Sequence, residues 1–535
     1  MKSQNELGVP IPANKPIVVR TIKMVTKEQR EYALKKTEYN MFSFPADLLF
    51  LDFLSDSGSG TMTDSQWAAL FHGDESYGRN TGYYVLLDAI RDIFERGDTP
   101  RKVINLILSG ETDVKKLIDD LYLTSDEGGF VNGGKFQLIR PNAFIVPQGR
   151  CAEYLLFSTI APILKLKNSS IEYYIPNNGH FDTTEANIAA NKIYPVNLFS
   201  ENLMDEFPFD QMDERNPFKG NMNLNRLEEL IQEKGVESIP LIYITITNNT
   251  AAGQPVSMKN IKGVHDIAQK YDIPLFFDAC RFPENAAFIK EFEEQYQNHS
   301  ILSIIGEMFS YVDGFTISFK KGIANIGGGL FFRDQGIFHK KFSVKEDIGV
   351  LLKEKQILTF GNDSYGAMSG RDIIALASSL YETVDLNALK KRIFLVREFA
   401  RKLASKGVPV ILPAGGHAVY IDMDKFFEGI DMRIDDFGGA GFTIELVKHY
   451  GIRACELGPF AFEWDKKTPE ERKSILNLVR FAIPWNAYNI SHIDYAVAAI
   501  NELYVNRDKI PKVRISRGAE LRLRHFQTGL QPVYK

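Results

Sequence analysis

Gly314-Phe-Thr-Ile-Ser-Phe-Lys-Lys321, with Gly327-Gly-Gly329 just beyond it, is the stretch whose reading decides the fold. Aromatic and β-branched residues predict a strand over Gly314–Phe319, and the paired lysines and glycines predict that it gives way to a loop. Upstream, Ile273–Ala279 predicts a second strand, closing on Asp278-Ala-Cys-Arg281. A lysine, an aspartate and an arginine therefore stand where strands end. In an open α/β sheet that is the edge beyond which ligands sit.

Working outward, Ser257–Tyr271 has helical spacing and lies between this strand and another over Leu241–Thr247. Asn142–Pro147 predicts a further strand, followed by a helix from about Cys151 to Leu164 and a strand over Ile171–Ile175. Strand, helix, strand repeated in this way predicts an α/β fold with a mostly parallel sheet and helices on both faces. From about Asp385 the pattern changes. Leu389–Lys406 predicts a long amphipathic helix, and Val408–Leu412, Ala418–Met423 and Ile475–Ile483 predict strands of a second, smaller α+β domain. The expected division is a segment 1–55 joining the small domain, a large domain 56–370, and the small domain 371–535. Residues 98–135, rich in charge and glycine and with a helix-like Val114–Leu121, are expected to form a surface insertion.

The 535 residues are 44% apolar and 24% charged, an ordinary globular composition, and the net charge of -5 with dispersed basic residues gives no reason to expect a nucleic-acid partner. Cys151, Cys280 and Cys455 are too few and scattered for a disulfide framework or a zinc site. Met1–Val19 lacks the continuous apolar core of an export signal, and no stretch has the roughly 20 apolar residues that span a bilayer. A soluble, cytoplasmic protein without a membrane partner is expected. The usual nucleotide loops are absent.

A lysine, an aspartate and an arginine at strand ends are what pyridoxal phosphate (PLP) chemistry needs. The cofactor is held through a lysine amine, its ring nitrogen stays protonated beside a buried carboxylate, and a nearby guanidinium keeps its phenolic oxygen anionic. Asp278 and Arg281 suit the last two roles. Taken singly, paired lysines after a strand also suit a solvated turn, and Asp-x-x-Arg a plain salt bridge.

Further blocks carry a resemblance: Leu54-Ser-Asp-Ser-Gly58, Gly73-Asp-Glu-Ser-Tyr77, Gln148-Gly-Arg150, Phe181-Asp-Thr-Thr184, Gly253-Gln-Pro-Val-Ser-Met258, Gly370-Arg-Asp372 and Gly415-Gly-His-Ala418. With the two stretches above, in this order from about Tyr39 to Leu530, they make the chain resemble the β-eliminating lyases, tryptophanase and tyrosine phenol-lyase, of the fold-type I PLP enzymes. The resemblance implies Lys321 as the lysine that binds PLP, with Lys320 beside it. It implies Gln148, Gly149, Arg150 and Ser318 around the phosphate, Phe181 stacked on the ring and Asn249 beside its phenolic oxygen. Tyr77 corresponds to a general acid reaching into the adjacent subunit's site, which implies a homo-oligomer, a tetramer built from two dimers that share active sites. Glu75, with carbonyls near Gly58 and Ile326, corresponds to a potassium site, and oxygen ligation suits so hard a cation. Ser55 and Asp182 correspond to substrate contacts.

Two positions bear on the substrate. Phenol-lyases carry an arginine where this chain has Leu457, and His525 matches a histidine of the indole-lyase branch. Both lean toward an indole-like or apolar side chain, and the implied activity is tryptophanase-like β-elimination of an L-amino acid to pyruvate and ammonia. The departure is at Ile483-Pro-Trp-Asn486. The family's arginine for the substrate α-carboxylate is replaced here by Trp485, which cannot make a bidentate pair. Three explanations stay open: another cation, Arg79 or Arg453, takes over; the substrate differs in shape, or the reaction differs, as in a transaminase; or PLP is bound without elimination chemistry.

Overall fold

In a computed structural model of the chain, residues 20–119, 129–323 and 325–534 are described. Met1–Val19, read for an export signal, and 120–128 of the expected insertion lie outside them. The chain divides into two compact units. The first comprises Gly60–Leu203 and Pro217–Lys390; the second comprises the described parts of Gln4–Ser59 and Lys391–Lys535, with Met204–Asn216. The divisions expected at 55/56 and 370/371 therefore fall at 59/60 and 390/391. The later one moves because helix Gly370–Thr383 packs on helix Thr81–Phe94 of the first unit.

The first unit is built on a seven-stranded sheet: β1 (Ala143–Val146), β2 (Tyr174–Asn177), β3 (Tyr194–Asn197), β4 (Ile242–Thr245), β5 (Leu275–Asp278), β6 (Gly314–Ser318) and β7 (Gly328–Phe332). Their order in space is β1-β7-β6-β5-β4-β2-β3. All neighbours are parallel except β7, which runs antiparallel to both β1 and β6. Strands β1 and β4 to β7 are buried along their whole length, as expected of a sheet covered on both faces. The covering helices include α1 (Gly149–Lys167), α2 (Asp182–Ala190), α3 (Met258–Lys270) and α4 (Phe282–Phe292). The strand expected over Ile171–Ile175 starts later, and the predicted helix after Pro255 is α3.

The expected surface insertion is anchored in the core. Phe130 is fully buried and meets Phe309 and Phe315 edge-on, and the Arg333 guanidinium covers it at 4.3 Å. Val103 and Ile104 are also buried. Charge and glycine hid these apolar residues, and the described helical turn is only Val114–Leu117.

The second unit is α+β, as expected. A three-stranded antiparallel sheet sets β10 (Leu478–Ala482) between β9 (Cys455–Leu457) and β8 (Ala418–Asp422). Phe53, Phe399, Phe442 and Phe481 form its aromatic core. The predicted long helix runs Leu386–Ala404. Val408–Leu412 is reduced to a single bridge from Val410 to Ile421, since Pro409 and Pro413 break the strand. Among the described residues no helix is long and apolar enough to cross a membrane.

Candidate active site

The first unit gathers a cofactor-sized set of groups at one end of its sheet. Asp278 is the last residue of β5 and pairs in register with Thr316 of β6. Its Oδ1 accepts from the Cys280 amide at 3.4 Å, and the side chain is buried. Arg281, also buried, starts α4, with its amide donating to Ile246 O at 3.1 Å. Lys320 and Lys321 lie in the short turn Phe319–Lys321 that ends β6. Lys321 lines a narrow crevice with Cys280, Ser318 and Gly322.

The approach of the α1 start to the ends of β6 and β7 fixes the opposite wall. Gln148, extended, leads into α1 with no side-chain cap on the helix start. A Cβ at Gly149 would stand 2.8 Å from Ser318 Cβ, and one at Gly328 would stand 2.4 Å from the Gln148 carbonyl carbon, so only glycine allows this contact. An uncapped helix N-terminus with a serine against it is a ready anion site. Phe181 precedes α2 and is half-buried, while Asn249 lies buried in the turn after β4.

Burial pushes the Asp278 carboxyl up, opposed by its contact with Cys280 and by the charges of Lys321 and Arg281. A cationic ring N–H placed against it would relieve that burial cost. The donor set therefore fits PLP: an amine, a buried acid, a guanidinium, an uncapped helix start and an aromatic side chain, all within one unit. Glu153, which the sequence reading passed over, is buried on α1 and accepts a hydrogen bond from the Thr184 hydroxyl at 2.5 Å. Its spacing of four from Gly149 was the available signal, since such residues share a helix face.

Tyr77 is 79% exposed and stacks on Tyr365 at 4.1 Å. It lines an open cavity of about 510 Å³ that also touches Lys320, Ile326 and Asp372. Glu75, at the same cavity, is held by Arg371 at 2.7 Å. Asp182 is buried, and its Oδ1 accepts from the Thr183 amide at 2.6 Å.

The other expected residues Ser55, Gly58, Leu457, His525, Trp485 and Arg453 lie in the second unit. Ser55 Oγ accepts from the Ser57 amide at 3.1 Å, and Gly58 adopts a left-handed φ of 73°. Leu457 is buried in β9. His525 is buried too, against Phe42 and Phe526, so it is not the surface residue its position near the C-terminus suggests. Trp485 is 2% exposed. Arg453, one expected substitute for the carboxylate anchor, grips Asp52 at 3.0 and 2.5 Å and the carbonyls of Met41 and Phe44 at 3.0 and 2.8 Å. In this structure it is an internal tie. Arg79, the other, covers the Tyr83 ring at 4.7 Å.

A lysine and a buried aspartate at the ends of adjacent strands, facing an uncapped helix start, define the class of a fold-type I PLP enzyme. The sequence model described as "Beta-eliminating lyase" matches residues 52–499, and the chain belongs to that family. It is 36% identical to a probable beta-eliminating lyase of Trichomonas vaginalis over 516 residues, covering 96% of this chain and 97% of that protein. It is 34% identical to a tryptophanase of Salinibacter ruber, covering 96% and 94%. It is also 34% identical to a tyrosine phenol-lyase of Fusobacterium nucleatum, covering 92% of each. The protein is a PLP-dependent lyase.

Proposed function

We propose that the protein catalyses a tryptophanase-like β-elimination on an L-amino acid with an aromatic or apolar side chain. The observation that carries this reading is the meeting of Lys321, Asp278 and the Gly149 helix start in one unit, in a family whose relatives include tryptophanases. When bound, PLP supplies an electron sink for charge developing at Cα. The chain's own groups do the rest. Lys321 holds the cofactor and then takes the Cα proton. Asp278 keeps the ring nitrogen protonated, and Arg281 and Asn249 hold the phenolic oxygen. The α1 start, with Gln148, Gly149, Arg150 and Ser318, takes the phosphate, and Phe181 covers the ring. The bond from Cβ to the leaving group breaks, and Tyr77, supplied by an adjacent copy and aided by His525, protonates the carbon that departs. Water converts the three-carbon remainder to pyruvate and ammonia.

Leu457 supports an apolar leaving group, because a hydroxyphenyl group would find no charged partner there. The same reading makes the protein a homotetramer in the cytoplasm, with Glu75 as a ligand of a potassium ion. Incubation of the purified protein and PLP with tryptophan tests it, with indole, pyruvate and ammonia as the expected products.

A second reading, a diverged substrate or a different reaction, is favoured by Trp485. Its indole is buried under the Arg392 guanidinium, and that cation is already hydrogen-bonded to Asp56 and to the Ile483 carbonyl. A protein that holds PLP yet leaves Cα protons of every amino acid unexchanged would establish a pseudoenzyme. Formation of pyridoxamine phosphate without a released leaving group would establish a transaminase.

A further inference from the structure

Strands β2 and β4 pair in register only once, Asn177 with Tyr243, and then part. Beyond that point side chains continue the ladder. The Asn178 carboxamide accepts from the Thr245 amide at 2.8 Å and donates to the Thr245 carbonyl at 3.0 Å, the two bonds that a neighbouring strand would make. Asn248 Nδ2 donates to the Asn178 carbonyl at 2.8 Å, and Thr250 Oγ1 donates to the His180 carbonyl at 2.8 Å. The two loops touch between these rungs, where a Cβ at Gly179 would stand 3.0 Å from Asn248 Oδ1. From the other side, Asn197 Oδ1 at the end of β3 accepts from both the amide and Nδ1 of His180, at 2.8 and 2.9 Å.

The last rung joins the neighbours of two residues that the proposed function gives to the cofactor. His180 precedes Phe181, placed on the ring face, and Thr250 follows Asn249, placed beside the phenolic oxygen. His180 is fully buried and Thr250 is 7% exposed, so water does not compete for their bond. We propose that Thr250 is a positioning residue whose hydroxyl ties the two loops, so that Phe181 and Asn249 stand at a fixed separation to receive PLP. A site fixed beforehand loses less freedom on binding. The inference rests on the reading that PLP lies between these residues. It goes beyond that reading by assigning their spacing to a side chain with no role in the proposed chemistry.

Two variants test this: Thr250→Val, which loses the hydroxyl donor, and Thr250→Ser, which keeps it. In the full-length chain without cofactor, hydrogen exchange is followed at the amides of His180, Asn248 and Ala251, which donate to Asn197 Oδ1, the Gln254 carbonyl and Asn248 Oδ1. In the holoenzyme, PLP affinity is measured, with the visible circular dichroism of the bound cofactor at saturation.

Thr250→Val should speed exchange at these amides and lower PLP affinity about fivefold, the worth of one hydrogen bond. Its dichroism per bound PLP should shrink, because a ring no longer held at one angle gives a weaker signal. A loss of stability alone leaves the dichroism of the saturated, folded enzyme as it was. Thr250→Ser should restore all three. Unchanged exchange, affinity or dichroism in Thr250→Val overturns the proposal, as does a Thr250→Ser that behaves like Thr250→Val. If Thr250→Val does not fold, free exchange of the three amides in the wild type overturns it, and so does a weakened PLP affinity in Thr250→Ser. A wild type that protects these amides yet shows no visible absorption with added PLP sinks the functional reading instead and leaves the tie between the loops standing.

Discussion

The guanidinium of Arg392 lies over the indole of Trp485, 4.5 Å from the ring centroid, and donates to Asp56 Oδ2 at 3.0 Å and to the Ile483 carbonyl at 2.8 Å. Within the second unit this makes Trp485 part of a buried ionic cluster, since the Arg392 and Asp56 side chains are only 3% and 0% exposed. Removing one charge of such a pair strands the other. Arg392→Leu should therefore cost about 3 to 5 kcal/mol in urea unfolding. Converting Asp56 as well should recover much of the loss, because a neutral packed pair avoids the desolvation cost. A single-variant loss under about 1 kcal/mol would show that the pair is not desolvated as described.

Trp485→Arg separates the two functional readings. If the protein handles ordinary α-amino acids with a weakened carboxylate contact, a new charge-assisted bond is worth about 1.5 kcal/mol or more. KM for tryptophan should then fall about tenfold or more. No change in KM, with the variant folded, would favour a substrate that never presented a carboxylate there.

Lys321→Ala should abolish the visible absorption of bound PLP and all elimination, whereas Lys320→Ala should keep the absorption. The two lysines share one turn but line different spaces: Lys321 the crevice beside Cys280 and Ser318, Lys320 the open cavity beside Tyr77. Retention of the absorption in Lys321→Ala would assign the covalent link elsewhere.

Much of the first unit was legible because its strands are short apolar runs bounded by turn residues, and β5 and β6 announce both their ends and the charged residues that follow. The boundary at 390/391 was not legible. It depends on which neighbour helix Gly370–Thr383 packs against, which no local pattern records. Phe130 was missed for the same reason, since a single phenylalanine among charges and glycines gains its burial from Phe309, Phe315 and Arg333. At the candidate site, the positions of Asp278, Arg281 and Lys321 at or just beyond strand ends could be read from the sequence. The Arg453 tie to Asp52 and the Arg392 cover on Trp485 could not, because each joins residues far apart in the chain.

His180 gives a pH dependence of stability. It is buried, its amide and Nδ1 both bond Asn197 Oδ1 (2.8 and 2.9 Å), and burial pushes the imidazole down to about 4 from an ordinary 6.5. Between those values the unfolded chain binds a proton that the folded chain does not, so stability falls as pH drops through that window. The loss attributable to this residue should be on the order of 3 kcal/mol. Denaturant midpoints measured down the window should fall more steeply in the wild type than in His180→Gln. Parallel curves would show that His180 is not buried neutral.

Gly149 tests the phosphate end of the site without touching a charged group. The close approach of α1 to β6 leaves no room for a methyl: a Cβ there would meet Ser318 Cβ at 2.8 Å and the Ser318 amide at 3.2 Å. Gly149→Ala must push the helix start away from the strand end, at a stability cost of about 1 to 3 kcal/mol. Because the α1 amides and Ser318 would hold the phosphate together, PLP affinity should fall more than stability does, by about tenfold or more for each 1.4 kcal/mol of lost contact. Since the nearest obstruction is the Ser318 Cβ itself, Gly149→Ala combined with Ser318→Gly should regain part of that affinity despite losing the hydroxyl. If the double variant binds PLP no better than Gly149→Ala alone, the obstruction comes from the backbone at 318, and the serine side chain does not set the gap.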